Sequence, residues 1–206
     1  MSELATDVRI LNKAEKLFFQ YGIRSVTMED IAKELSISKK TIYQYFKDKD
    51  EIVLKVSRQI FDKEHTQMQQ IHDVGENVIH EMVLISRYIR QHVAEANPSA
   101  IHDLRKFYPE AWQVFLVFKQ ACLQLIESTI EKGVAEGHFR PEINPKILAI
   151  LRAETIELSF SQRLFPRHEF EPQEVQWQFF EQFINGILTE EGRKLYQKYT
   201  QEIAKS

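Results

Sequence analysis

Lys39, Lys40, Thr41, Tyr43, Gln44 and Tyr45 crowd into one seven-residue run, with Thr27 and Ser38 upstream and Lys49 a helical turn downstream. Ammonium groups at this density neutralise phosphates, while amide, hydroxyl and phenol groups reach base edges and sugar-phosphate oxygens. That is the chemistry of duplex recognition. It requires a scaffold that presents all of these groups from one short surface.

The flanking residues supply that scaffold. Met28, Ile31, Ala32 and Leu35 recur at three- and four-residue steps and form one apolar helical stripe. Thr27 stands one residue ahead as an N-cap, and Asp30, three residues on, completes a capping-box pattern. Leu35-Ser36-Ile37-Ser38 is long enough only for a tight turn, with Ser36 a candidate for left-handed backbone and Ile37 tucked between two helices. Ser38 caps a second helix whose buried side is Ile42 and Phe46. Two helices joined in this way form a helix-turn-helix, whose second helix enters the major groove N-terminus first. Ahead of it, Ile10, Leu11, Ala14, Leu17, Phe18 and Tyr21 place an amphipathic helix over 8–21, ended by Gly22. Behind it, Asp48 is a helix N-cap, and Lys49 at the start of a fourth helix reads as a phosphate clamp.

Charge is distributed to match. The chain carries a net −3, yet residues 31–49 hold five lysines against two carboxylates, a local balance of +3. Beyond residue 60 there are 16 basic and 21 acidic residues, a balance of −5. The asymmetry puts the duplex-facing surface at the N-terminal end.

Other chemistries find little in the sequence. No phosphate-binding glycine loop is present, His80-Glu81 lacks the second histidine of a zinc protease, and the seven histidines are scattered. No catalytic residue, metal or cofactor is expected. The single cysteine, Cys122, excludes an internal disulfide and reads as a small buried hydrophobe ahead of a redox sensor. With no apolar signal segment and no 18-residue apolar run, the expectation is a soluble, cytoplasmic protein without a membrane partner.

Helical periodicity runs almost to the end and strand signals are missing, which predicts an all-α fold. Val53, Val56 and Ile60 carry the fourth helix toward Met68, where the polar Gln67-Met68-Gln69-Gln70 run and Gly75 interrupt it. Further helices are expected over 78–93, 101–108, 109–136, 145–165 and 172–188. Proline opens the last two, and Gly137-His138-Phe139-Arg140-Pro141 stops the one before them. The domain division is 1–52 for the DNA-binding head and 53–206 for a second helical domain, with the fourth helix crossing the border.

The Phe18-Phe19-x-Tyr21-Gly22 end of the first helix, Thr27 with Ile31-Ala32, and Ser38-x-x-Thr41-Ile42-Tyr43-x-Tyr45-Phe46-x-x-Lys49 together resemble the DNA-binding domain of TetR-type transcriptional repressors. Ser36 departs from the glycine common there, and Tyr45 from the histidine. Looser likeness continues in Asp103 to Glu110, in Gly133-x-x-x-Gly137-x-Phe139-Arg140 and in Gly186-Ile187-Leu188-Thr189-x-x-Gly192-Arg193. The resemblance implies a homodimer on inverted-repeat double-stranded DNA, released by a small-molecule effector, with repression as the usual mode. The near-continuous apolar surface of 172–188 fits an interface, for which Phe160, Leu164, Trp177, Phe180, Ile184 and Leu188 are the candidates. Met82, Ile85, Ile89, Phe107, Tyr108, Trp112, Phe115 and Phe160 are candidates for an effector pocket, and their character suggests a lipophilic or aromatic ligand. The alternative is a helical ligand-binding or architectural protein with a non-specific or vestigial DNA head, whose binding would collapse with salt.

Overall fold

The structure is a computed structural model that describes residues 5–95, 97 and 99–204. Among these residues every named element is a helix: α1 Thr6–Tyr21, α2 Met28–Glu34, α3 Lys39–Tyr43, α4 Lys49–Val74, α5 Val78–Glu95, α6 Ala100–Phe107, α7 Pro109–Ala135, α8 Pro145–Leu158, α9 Pro172–Ile187 and α10 Glu190–Ala204. The all-α expectation holds. No helix among the described residues is long and apolar enough to cross a membrane.

The chain divides into two compact units, residues 1–64 with 95–118 and residues 65–94 with 119–206. The core of the first gathers the apolar stripes of α1 to α4. Ile10, Ala14, Ile31, Ile42 and Ile52 are wholly buried, joined by Leu104, Tyr108 and Ala111 from α6 and the start of α7. Tyr21 departs from the stripe read in the sequence. As the last residue of α1, just before the reversal at Gly22 (φ 84°), it is 56 % exposed.

Two helix ends differ from the sequence reading. The polar run at 67–70 does not interrupt α4, because glutamine and methionine are good helix formers and polar residues need only face water. The helix continues to Val74, and the N–H of Gly75 closes it on the carbonyl of Ile71 at 3.1 Å. α8 stops at Leu158, short of residue 165. There the Ser159 hydroxyl donates to the Ile156 carbonyl at 2.6 Å, tight turns follow, and Pro166 restricts the residue before it.

In the second unit Val78, Ile79, Ile130 and Ile184 are fully buried in a core that also takes in Phe139, Phe180 and Tyr199. The two glycine-bearing segments of its sequence meet. Phe139 bridges to Leu188, and the Thr189 hydroxyl donates to the Gly137 carbonyl at 2.8 Å. A Cβ on Gly133 would stand 2.1 Å from the Phe139 ring, and one on Gly192 2.2 Å from the His138 carbonyl oxygen. Close approach, rather than ligand chemistry, requires these glycines.

Candidate nucleic-acid interface

Interlocking caps build the site. The Thr27 hydroxyl accepts the Asp30 N–H at 3.2 Å, while the Asp30 carboxylate accepts the Thr27 N–H at 2.8 Å and its hydroxyl at 2.7 Å. These hydrogen bonds hold the Asp30 carboxyl below its ordinary pKa. α2 therefore begins at a fixed point. Ser36 takes the left-handed conformation, φ 55°, and turns the chain so that the Ile37 N–H reaches the Ala32 carbonyl at 3.0 Å. The Ser38 oxygen then accepts the Thr41 N–H at 3.0 Å and starts α3.

α3 has one regular turn, Lys39–Tyr43, with Gln44 and Tyr45 just past its end. Ile42 and Phe46 are buried beneath it and fix which side faces out. That outer side presents Lys39, Lys40, Tyr43, Gln44 and Tyr45, all exposed, with Thr41 half-buried among them. Tyr43 and Tyr45 are 49 % and 45 % exposed, so their phenols are open to a partner. Thr27 and Ser38 are exposed at the helix starts. Of the residues read as DNA contacts, all but Thr41 and Lys49 are exposed.

Lys49 is placed differently. Asp48 caps α4 by accepting the Glu51 N–H at 2.9 Å, and Glu51 returns to the Lys47 N–H at 2.7 Å. From the first turn of α4 the Lys49 ammonium donates to the Arg24 carbonyl at 3.3 Å and lies 5.8 Å from the centre of the Tyr108 ring. Burial holds its pKa below the usual lysine value, against the pull of Asp103, Asp50 and Asp30. Arg24 is itself held by α6: its N–H donates to Asp103 Oδ2 at 3.2 Å, and its guanidinium covers the Phe107 ring at 4.8 Å. Sequence reasoning missed Arg24 and Asp103, since their meeting spans 79 residues and neither belongs to a periodic pattern.

The effector candidates fall into both compact units. Phe107, Tyr108, Trp112 and Phe115 belong to the first, where Trp112 stacks on Phe115 at 4.9 Å. Met82, Ile85, Ile89 and Phe160 belong to the second, with Met82 inside its core. The interface candidates need a correction. Phe180, Ile184 and Leu188 are buried at 2 %, 0 % and 4 % within the protomer's own core, so their apolar surface is already consumed. Trp177 is half-buried, as is Phe160, and Leu164 is exposed. α8 exposes four large apolar side chains, Ile147, Ile150, Leu151 and Leu158, beside a groove of about 410 Å³ between α8 and α9.

Residues 10–56 match the family described as bacterial regulatory proteins, tetR family. Over 190 residues the chain is 26 % identical to the uncharacterized HTH-type transcriptional regulator YvaF of Bacillus subtilis, covering 90 % of this chain and 97 % of that one. Residues 10–56 are a TetR-family DNA-binding domain. The chain is a helix-turn-helix transcriptional regulator that binds DNA. Solved TetR-like folds superimpose along most of its length. The ketosteroid transcriptional regulator KstR2 of Mycobacterium tuberculosis aligns over 92 % of this chain and 98 % of its own, with a TM-score of 0.65 and 20 % identity. FadR of Bacillus subtilis, solved in complex with stearoyl-CoA, aligns over 87 % and 98 %, with a TM-score of 0.70 and 16 % identity.

Proposed function

We propose that this regulator is a TetR-type repressor that binds an inverted-repeat operator as a two-fold homodimer and leaves it when a small lipophilic effector binds. The observation that carries the reading is the outward surface of α3, where cations, an amide and two phenols stand over the buried Ile42 and Phe46. Lys39 and Lys40 meet phosphates, while Thr41, Tyr43, Gln44 and Tyr45 meet base edges and backbone. Thr27 and Ser38 bring helix starts to the phosphate strand. Lys49 serves through its ammonium's hold on the Arg24 carbonyl, which fixes where α4 begins relative to the reading surface.

One reading head contacts too few base pairs for useful specificity, so two must act together. The exposed apolar surface of α8 supports a self-complementary interface there. Functionally the head comprises 1–52 and the regulatory domain 53–206. α6 supports a route between them, because Asp103 and Phe107 grip Arg24, and Arg24 in turn accepts from Lys49.

A lipophilic effector is supported by the aromatic side chains of both units and by two fold relatives, one named for ketosteroids and one solved with stearoyl-CoA. A ligand shifts the DNA-competent population only by its differential affinity for the two states. The test is a thermal-shift screen of apolar compounds, followed by addition of each hit to the protein on its operator. A hit that raises the melting temperature and releases DNA is expected. A screen without hits, or hits that leave the complex intact, would contradict the effector reading.

A further inference from the structure

Arg152 on α8 is only 5 % exposed. A guanidinium taken out of water needs an anion or a full set of acceptors. Arg152 has neither: its Nη1 has no hydrogen-bond partner, and burial alone pulls its pKa down to about 10, with no carboxylate opposing. Its Cζ lies over two aromatic faces, 5.2 Å from the Phe180 ring centre and 5.8 Å from that of Phe183. Ring quadrupoles replace only part of the lost hydration.

The surroundings repeat the pattern. Gln176 lies one turn before Phe180 on the same face of α9, and it is wholly buried with both its amide oxygen and its amide nitrogen unpaired. Its neighbour Trp177 packs 5.9 Å from Phe180 and lies under the guanidinium of Arg90 from α5 at 5.3 Å. One turn before Arg90, Ser86 is 1 % exposed with its hydroxyl unpaired. Arg152 and Gln176 thus bring orphaned polar groups to the stretch of α9 around 176–183, and Ser86 lies one turn from the α5 residue that meets Trp177. Buried polar groups in native proteins are nearly always satisfied, so a concentration of exceptions calls for a missing component.

We propose that Arg152, with Gln176 one turn along α9 from the Phe180 ring that the guanidinium covers, is the anion anchor of the effector site, and that the effector class is a monocarboxylic acid with an apolar body. The inference rests on the effector reading above and names its chemistry. A carboxylate matches the guanidinium fork with two parallel hydrogen bonds and carries the counter-charge that Arg152 lacks. The Gln176 amide supplies one further donor, and the apolar body lies along the Trp177, Phe180 and Phe183 rings. Arg152 exchanges its ring contacts for the carboxylate as the acid enters between α8 and α9. That exchange is a differential interaction of the kind a ligand-driven shift requires.

The test titrates the full-length protein with straight-chain acids from acetate to palmitate, with benzoate and phenylacetate, and with the corresponding primary alcohols. Binding is read by calorimetry and thermal shift. At least one acid binds while its alcohol binds roughly tenfold or more weakly, as loss of a charged hydrogen-bonded pair requires. Arg152→Met abolishes acid binding, Arg152→Lys restores part of it, and Gln176→Leu weakens it. The ligand-free melting temperature of Arg152→Met equals or exceeds that of wild type, because an unpaired buried charge has been removed. If no acid binds, or acids and alcohols bind alike, or Arg152→Met melts lower with acid binding unchanged, the anchor is overturned. The two readings fail separately. A neutral lipophile that releases DNA while acids do nothing overturns the anchor and leaves the effector reading standing. An acid that binds through Arg152 without releasing DNA does the reverse.

Discussion

The ammonium of Lys49 lies 3.3 Å from the carbonyl oxygen of Arg24, joining the first turn of α4 to the loop that leads into α2. A lysine at a helix start reads in sequence as a direct phosphate ligand, but here its charge is held from the protein side. Lys49→Met therefore lowers stability as well as DNA affinity, whereas Lys40→Ala lowers affinity with stability within about 0.5 kcal/mol of wild type. Urea unfolding set beside a binding isotherm separates the two. Equal stability in both variants would contradict the structural role of Lys49.

The Thr27–Asp30 pair fixes where α2 begins, and Thr27→Ala should cost about 1 kcal/mol of stability at neutral pH. The Asp30 carboxyl sits below its ordinary value of 3.8 because it accepts two hydrogen bonds from Thr27. The stabilisation from its ionised form is therefore complete above that value and is lost as pH falls through the lower folded-state pKa. The difference between wild type and Thr27→Ala should narrow in acid. Chemical denaturation at pH 7 and near pH 3 checks this, and a gap that widens in acid would contradict it.

Asp103 is buried and accepts the N–H of Arg24 at 3.2 Å across 79 residues of sequence. Asp103→Ala leaves that donor unpaired, at a cost of about 1–3 kcal/mol. If α6 transmits the effector signal through Arg24, this variant binds operator DNA more weakly and responds less to effector than Asp103→Asn, which keeps an acceptor. Operator titrations with and without effector are the measure; identical responses would remove α6 from the route.

Leu151 and Ile147 on α8 are 52 % and 63 % exposed. Leu151→Glu places a charge on each side of a two-fold apolar contact, which should yield monomers and at least about a tenfold loss of operator affinity. Sedimentation at micromolar concentration checks the first effect. Phe180→Leu, inside the protomer core, should lower stability and leave the association state unchanged. The opposite pattern would return the interface to α9.

The head was readable because its signals are local. Thr27 and Asp30, Ser38 and Thr41, and Asp48 and Glu51 each act over three residues, and each pair forms the expected hydrogen bond. The apolar stripe of α1 to α3 likewise encodes its own burial. α9 was harder. Phe180 and Ile184 are as apolar as any interface residue, and periodicity does not reveal whether such a face meets its own core or a second chain. Arg152 was invisible for a related reason: an arginine on a helix reads as solvated unless the neighbouring helices are known to close over it. Asp103 and Arg24 could not be paired from a sequence in which nothing links positions 79 residues apart.

The central claim is sequence-specific DNA reading by a pair of α3 surfaces. Selection of bound duplexes from a random library at about physiological salt, with wild type and Gln44→Ala in parallel, tests it most directly. The account predicts an enriched inverted repeat for wild type, bound several kcal/mol more tightly than random sequence, and an altered preference at the positions facing Gln44 in the variant. Retention that enriches no sequence and falls steeply with salt would contradict it, leaving a protein that holds phosphates without reading bases.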